Sequence, residues 1–249
     1  MFAALSRDVL EWCCVVCLTS VFSLQIMDVL CINDPDSRPW LRAQLPPLRV
    51  LVGDCIARDS GLRSRFPQHR FHRHVRGGAT WRSVASDLPD VMSLWTEAAE
   101  EQGRRRGSAV LWLTGNDVYS KRTLLPSFSN ESLEEVAASA AFVAKQLLAV
   151  AERVVVLGPL PRPSGDLMGQ KWEVTAAFHL ERRLRHHLPA GVQLIPLGRQ
   201  LTKKSAGRHC LTSDCLGWFR PDGTHLTQAG YDKLEDALSF PIWLTMSGQ

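Results

Sequence analysis

From residue 48 onward, hydrophobic and polar positions fall into two patterns that take turns along the chain. Leu48–Val52, Ala109–Thr114, Arg153–Leu157 and Val192–Leu197 are short apolar runs, the first three stopped by a glycine. Runs without polar alternation predict strands buried on both faces. Phe71–Val75 predicts a further strand, and its His72, Arg73 and His74 place it at a sheet edge. Between these runs lie longer segments with helical spacing. Trp81–Glu101 carries Val84, Leu88, Val91, Leu94, Trp95 and Ala98 close to that spacing, and Glu131–Ala151, Trp172–Leu188 and Thr227–Leu238 read the same way. Strand and helix in alternation predict an α/β domain over residues 48–249: a five-stranded parallel sheet with helices on both faces, a three-layer α/β/α sandwich.

The chain has 249 residues, 45% of them hydrophobic, enough for one such domain with a full core. Residues 1–47 read differently, as a hydrophobic segment followed by a linker. Residues 9–32 are apolar, but Glu11 and Asp28 interrupt them and Thr19, Ser20, Ser23 and Gln25 dilute their centre. No integral membrane span is expected there. Arg7 is offset by Asp8 and no small-residue cleavage site follows, which favours a cytoplasmic setting over secretion. Four prolines in residues 33–47 mark the linker.

A net charge of +4 does not demand a polyanionic partner. Basic residues cluster at His69–Arg76, Arg104–Arg106 and Arg182–His187 without interleaved stacking aromatics, so solvated faces are the first reading and nucleic-acid binding the lesser one. Seven cysteines, four of them within the first 31 residues, form no disulfide framework. His209, Cys210 and Cys215 hint at a metal site, but no second pair at zinc spacing accompanies them, so neither metal nor cofactor is expected.

Parallel sheets place chemistry beyond the carboxyl ends of their strands. Asp54-Cys55, Gly77-Gly78-Ala79-Thr80 and Gly115-Asn116-Asp117 follow the first three strands, and Pro221-Asp222-Gly223-Thr224-His225 precedes the last helix. Three positions apart in sequence, Asp222 can reach His225 in a tight turn and fix its tautomer. Plainer readings exist for each piece. Asp54 suits a helix cap and Asn116-Asp117 an ordinary turn. Ser60, five residues past Cys55, is expected to face away from the strand edge. His72, His74, His179, His186, His187 and His209 have no carboxylate at a comparable spacing and read as surface groups.

In order and spacing, Gly53-Asp54-Cys55, Gly78, Gly115-Asn116-Asp117 and Asp222-Gly223-Thr224-His225 resemble the SGNH hydrolases, or GDSL-type esterases, over roughly residues 48–240. The compact form with an extra N-terminal segment resembles the esterase-like domains encoded by animal retroelements. The resemblance implies a flavodoxin-like sandwich and acyl transfer on a small ester, without metal or cofactor. It implies that residue 55 attacks the carbonyl, His225 shuttles the proton and Asp222 orients His225. It further implies an oxyanion hole made of the Cys55 and Gly78 N–H groups and the Asn116 amide. Cysteine stands where the family has serine. Three readings follow: a thiol acyl hydrolase or transferase, a hydrolase of reduced activity, and a silent module that binds an acyl or sugar ligand in the same cleft. A nucleic-acid accessory role using Arg73, Arg76 and Arg104–Arg106 is the further alternative.

Overall fold

A computed structural model of the chain describes residues 48–61, 71–101, 107–113, 115–119, 130–163 and 168–244. The chain divides into two units, Met1–Leu45 and Pro46–Gln249, and all described residues belong to the second. The N-terminal hydrophobic segment, the linker, Arg104–Arg106 and Thr114 lie outside the described residues.

Five strands form one sheet: β1 (Leu48–Gly53), β2 (Phe71–Val75), β3 (Gly107–Trp112), β4 (Arg153–Leu157) and β5 (Val192–Ile195). All pair in parallel, in the order β2-β1-β3-β4-β5. Every residue of β1 and β3 is buried, Arg49 and Ser108 included, whereas β2 and β5 are half-wet edges. Register carries a positional consequence. Val75, Gly53, Trp112, Leu157 and Ile195 stand side by side, so the loops after all five strands open on one edge. The strand order reverses between β1 and β3, and that is where such sheets open a ligand crevice.

The helices are α1 (Cys55–Asp59), α2 (Trp81–Ser86), α3 (Leu88–Glu101), α4 (Asn130–Leu148), α5 (Ala176–His187) and α6 (Gln228–Leu244). Right-handed crossovers from β1 out to β2 and from β3 on to β4 run in opposite directions, which puts their helices on opposite faces. Accordingly α2, α4 and α5 pack in a row. α6 instead joins α1, where the Tyr231 hydroxyl donates to Ile56 O at 3.0 Å. This is the three-layer sandwich expected from the sequence, with the flavodoxin-like strand order.

Two expected helices are each broken once. Trp81–Glu101 divides at Asp87, because Pro89 lacks an N–H and its ring would press on the carbonyl four residues earlier; α3 restarts around it. Trp172–Leu188 is a 3-10 turn, Trp172–Val174, then α5, with the Thr175 hydroxyl capping Phe178 N at 3.2 Å. An antiparallel hairpin, β6 (Lys203–Ser205) and β7 (Arg208–Cys210), follows β5. Among the described residues no helix is long and apolar enough to cross a membrane.

Candidate active site

β1 stops at Gly53 because the chain must turn against its neighbours there. A Cβ at this position would lie 2.6 Å from Trp112 O and closer still to Ala57 Cβ. Asp54 then caps α1: Oδ1 accepts from Ile56 N at 2.9 Å and Ala57 N at 3.4 Å, while its own N–H donates to Trp112 O at 3.2 Å. The capping role expected of Asp54 is present, and it sets Cys55 as the first residue of the helix. Cys55 is half-buried with a free thiol. Burial pushes the thiol up, as does the Asp54 charge; the Gly78 N–H, the Arg162 charge and its own N–H act the other way without cancelling them. Ser60 is turned inward, its hydroxyl donating to Ala57 O at 2.7 Å.

After β2 the chain turns through Gly77–Thr80, with Ala79 N donating to Arg76 O at 3.1 Å. Gly78 adopts φ +73°, the left-handed region, and a Cβ there would meet nothing within 4 Å. Backbone conformation, together with open space beyond it, accounts for this glycine. The Gly115-Asn116-Asp117 turn after β3 ties down both preceding loops. Asn116 Nδ2 donates to Ala79 O at 3.0 Å and to Asp54 Oδ2 at 3.2 Å. Asp117 accepts from Trp81 N at 3.1 Å and so caps α2 from outside. Burial raises the Asp117 carboxyl to about 7; the Trp81 N–H and its own N–H oppose this, and the Asp54 charge adds to it.

The last piece is the turn before α6. Asp222 Oδ1 accepts from Thr224 N at 2.8 Å and His225 N at 2.9 Å, and Oδ2 meets His225 Nδ1 at 2.7 Å. Partial burial works to raise the carboxyl, but the two N–H groups and the imidazole overcome it and hold Asp222 at about 2. An ionised carboxylate on Nδ1 fixes the tautomer that leaves Nε2 as acceptor. Among the described residues, no hydrogen bond joins the His225 ring to the Cys55 thiol. The two are linked through helix packing, since α6 leaves this turn and reaches α1 by the Tyr231 bond to Ile56 O.

Cys55, Gly78 and Asn116 are thus gathered around the Asp54 turn, and Asp222 pairs with His225 as the spacing of three predicts. One residue escaped the sequence reading. Arg162, in the Gly158–Pro163 turn after β4, is 9% exposed; its Nη2 donates to Asn116 Oδ1 at 2.7 Å and its guanidinium lies 4.9 Å from the Tyr119 ring centre. No motif marks it; its place at a strand's carboxyl end is the one signal. The other histidines are less uniform than expected. His72 approaches Glu101 at 4.0 Å, His74 approaches Asp87 at 3.7 Å, and His209 Nδ1 lies 3.0 Å from the part-buried Thr202 hydroxyl.

No protein-family model matches the chain, and no curated protein does. Solved structures do. A GDSL-like lipase of Bacteroides thetaiotaomicron superposes with a TM-score of 0.55 at 15% identity, over 85% of this chain and 98% of its own. A Bacteroides fragilis protein assigned as an acylhydrolase gives 0.56 at 14%, over 85% and 96%. A catalytic mutant of an acetylxylan esterase from Geobacillus stearothermophilus gives 0.50 at 16%, over 82% and 95%. At such identities the likeness speaks for the fold alone: the chain has the fold of the SGNH hydrolases.

Proposed function

We propose that the protein is an ester hydrolase that works through Cys55, His225 and Asp222 on a small ester, such as an acetyl or lipid acyl ester. The observation that carries this is the convergence of three strand-end loops on one turn: Asn116 bonded to Asp54, Ala79 bonded to Asn116, and the Gly78 N–H acting on the Cys55 thiol. As His225 Nε2 removes the thiol proton, sulfur bonds to the carbonyl carbon and the carbonyl electron pair moves onto oxygen. The N–H groups of Cys55 and Gly78 receive that oxyanion. Asn116 Nδ2 joins them by sharing or releasing the longer of its two bonds, the one to Asp54. The tetrahedral intermediate collapses, the C–O bond breaks, and His225 returns its proton to the leaving alcohol. Water, deprotonated by His225, then cleaves the thioester, giving the acid and the free thiol.

The fold likeness to a lipase and an acetylxylan esterase supports ester chemistry over a silent binding module. Hydrolysis of p-nitrophenyl acetate by the wild-type protein, Cys55→Ser, Cys55→Ala and His225→Ala tests the reading. Cys55→Ala and His225→Ala are expected to lose at least a hundredfold in kcat/KM, roughly the contribution of a positioned base. Activity that survives Cys55→Ala, or its absence from both the wild-type protein and Cys55→Ser, would sink the proposal.

A further inference from the structure

The Arg162 guanidinium is buried where burial is costly. A charged group withdrawn from water loses several kcal/mol unless its surroundings repay it. Here the repayment is partial: Nη2 donates to Asn116 Oδ1 and Tyr119 offers its ring face, while among the described residues the buried Nε has no hydrogen-bond partner. The ionisable groups that act on Arg162 are Tyr119, Asp54, Cys55 and Asp222, and two of them, Cys55 and Asp222, belong to the proposed catalytic set. The neighbouring backbone is engaged as well. Gly223, at φ +63° between Asp222 and His225, lies so close to Pro163 O that a side chain there would collide with it. The Arg162-Pro163 segment therefore touches both the Asn116 turn and the Asp222–His225 turn.

The donor chemistry has a direct consequence for Asn116. A guanidinium can only donate, so the amide oxygen must face Arg162 and the NH2 must face Asp54 and Ala79. Were the amide flipped, NH2 would oppose NH2. Arg162, together with the acceptors Asp54 and Ala79 on the other side, thus fixes which way the Asn116 amide faces.

We propose that Arg162 is a positioning residue of this site: it locks the Asn116 amide with its donor end toward the cleft and supplies the positive charge against which negative charge forms at Cys55 and on the substrate oxygen. This rests on the ester-hydrolase reading, but one of its readouts does not require turnover. Among the described residues, the charged and titratable groups that act on or feel Cys55 are Asp54 on its own turn, Arg58 on α1, Tyr231 on α6 and Arg162, with His225 as its proposed base. Among these, Arg162 is the buried cation.

The test compares the wild-type protein with Arg162→Met and Arg162→Lys in two measurements. The first is the pH dependence of iodoacetamide alkylation, read by mass spectrometry on the peptide that contains Cys55. Arg162→Met is expected to raise the alkylation midpoint by about one pH unit, as loss of a neighbouring opposite charge does, and Arg162→Lys to leave it near wild type. The second is p-nitrophenyl acetate hydrolysis, where Arg162→Met should lose about a hundredfold in kcat with little change in KM, the penalty for a misplaced oxyanion donor. Arg162→Lys should recover only part of that, because an ammonium restores the charge without the planar fork. An unmoved midpoint together with unchanged kcat in Arg162→Met would overturn the proposal. If Arg162→Met does not fold, Arg162→Lys decides: wild-type kcat refutes the positioning role, and a lowered kcat with an unmoved midpoint supports it. Absence of turnover in wild type and Cys55→Ser alike would count against the ester reading, while the alkylation shift still judges Arg162.

Discussion

Gly53→Ala probes how tightly the β1–α1 turn is held. The added methyl would sit 2.6 Å from Trp112 O, an atom fixed in the centre of the sheet and already accepting from Asp54 N. On its other side stands Ala57 Cβ, held by the Asp54 cap. Carbon atoms rest at about 3.5 Å or more, so the turn has to withdraw by about 1 Å. Overpacking of this kind costs roughly 1–3 kcal/mol, and stretching the Asp54 N–H bond to Trp112 O adds about 1 kcal/mol. A destabilisation of about 2–4 kcal/mol by urea unfolding is the expectation. The same displacement moves the Cys55 thiol relative to the Gly78 N–H, and an error of about 1 Å is worth roughly a hundredfold in rate.

Gly107→Ala separates the two effects. Its Cβ would crowd Leu48 Cβ at 2.7 Å, at the opposite end of the strands from the site. Comparable destabilisation is expected there, with p-nitrophenyl acetate kcat/KM, corrected for the folded fraction, within about tenfold of wild type. A Gly53→Ala protein with wild-type stability would refute the steric reasoning. Equal losses of activity in both variants would refute the link from the turn to the site.

Glu181 on α5 is 6% exposed, and burial raises its carboxyl from the ordinary 4.5 to about 7, against the pull of Arg185, the Gly198 N–H and Arg199. A raised folded-state value means that the native protein binds the extra proton. Stability therefore falls as pH rises from about 4.5 to about 7, by up to about 3 kcal/mol from this group. Asp117 acts with the same sign. Thermal unfolding should show a higher Tm at pH 5 than at pH 8, and Glu181→Gln should narrow the difference; an unchanged difference in that variant would count against the assignment. Tyr231→Phe removes the hydroxyl that joins α6 to α1 and leaves Ile56 O without it, so a loss of about 1–2 kcal/mol in urea unfolding is expected. Stability equal to wild type would show that this bond does not hold the two helices together.

Where a side chain's fate depends on near neighbours in sequence, the sequence announces it. The buried strand β1, the edge position of β2 through His72–His74, and the Asp222–His225 pair are all set by local spacing. Pro89 and Thr175 were legible too, as helix-start signals that the apolar periodicity running across them concealed. What escaped depends on contacts between residues far apart in sequence. Arg162 gains its meaning from Asn116, 46 positions away, and Asp117 caps a helix start 36 positions back. The same holds for the Asn116 amide. Resemblance implies an oxyanion donor, yet both Nδ2 hydrogens have acceptors within the chain, and only the fold reveals that the donor is already engaged.

Cysteine at position 55 is best judged by what surrounds the sulfur. A thiol at a helix N-terminus usually ionises easily, because unpaired N–H groups and a cationic neighbour favour the thiolate. Two features work against that here. α1 is five residues long, and the Asp54 carboxylate occupies the N–H groups of Ile56 and Ala57, so the helix end presents negative charge where it would otherwise present positive. Burial adds to this, and the net push on the thiol is upward despite Arg162. A standing thiolate is thus disfavoured at neutral pH, and the sulfur needs a base at the moment of attack. Serine, which never ionises beforehand, makes the same demand. In its electrostatics the turn treats Cys55 as a hydroxyl nucleophile would be treated, so within the proposed mechanism general-base activation by His225 is favoured over a preformed thiolate–imidazolium pair. Solvent isotope effects on p-nitrophenyl acetate hydrolysis separate the two: proton transfer in the attack step gives kcat/KM in water about twice or more that in D2O, whereas a preformed ion pair gives a ratio near unity or below.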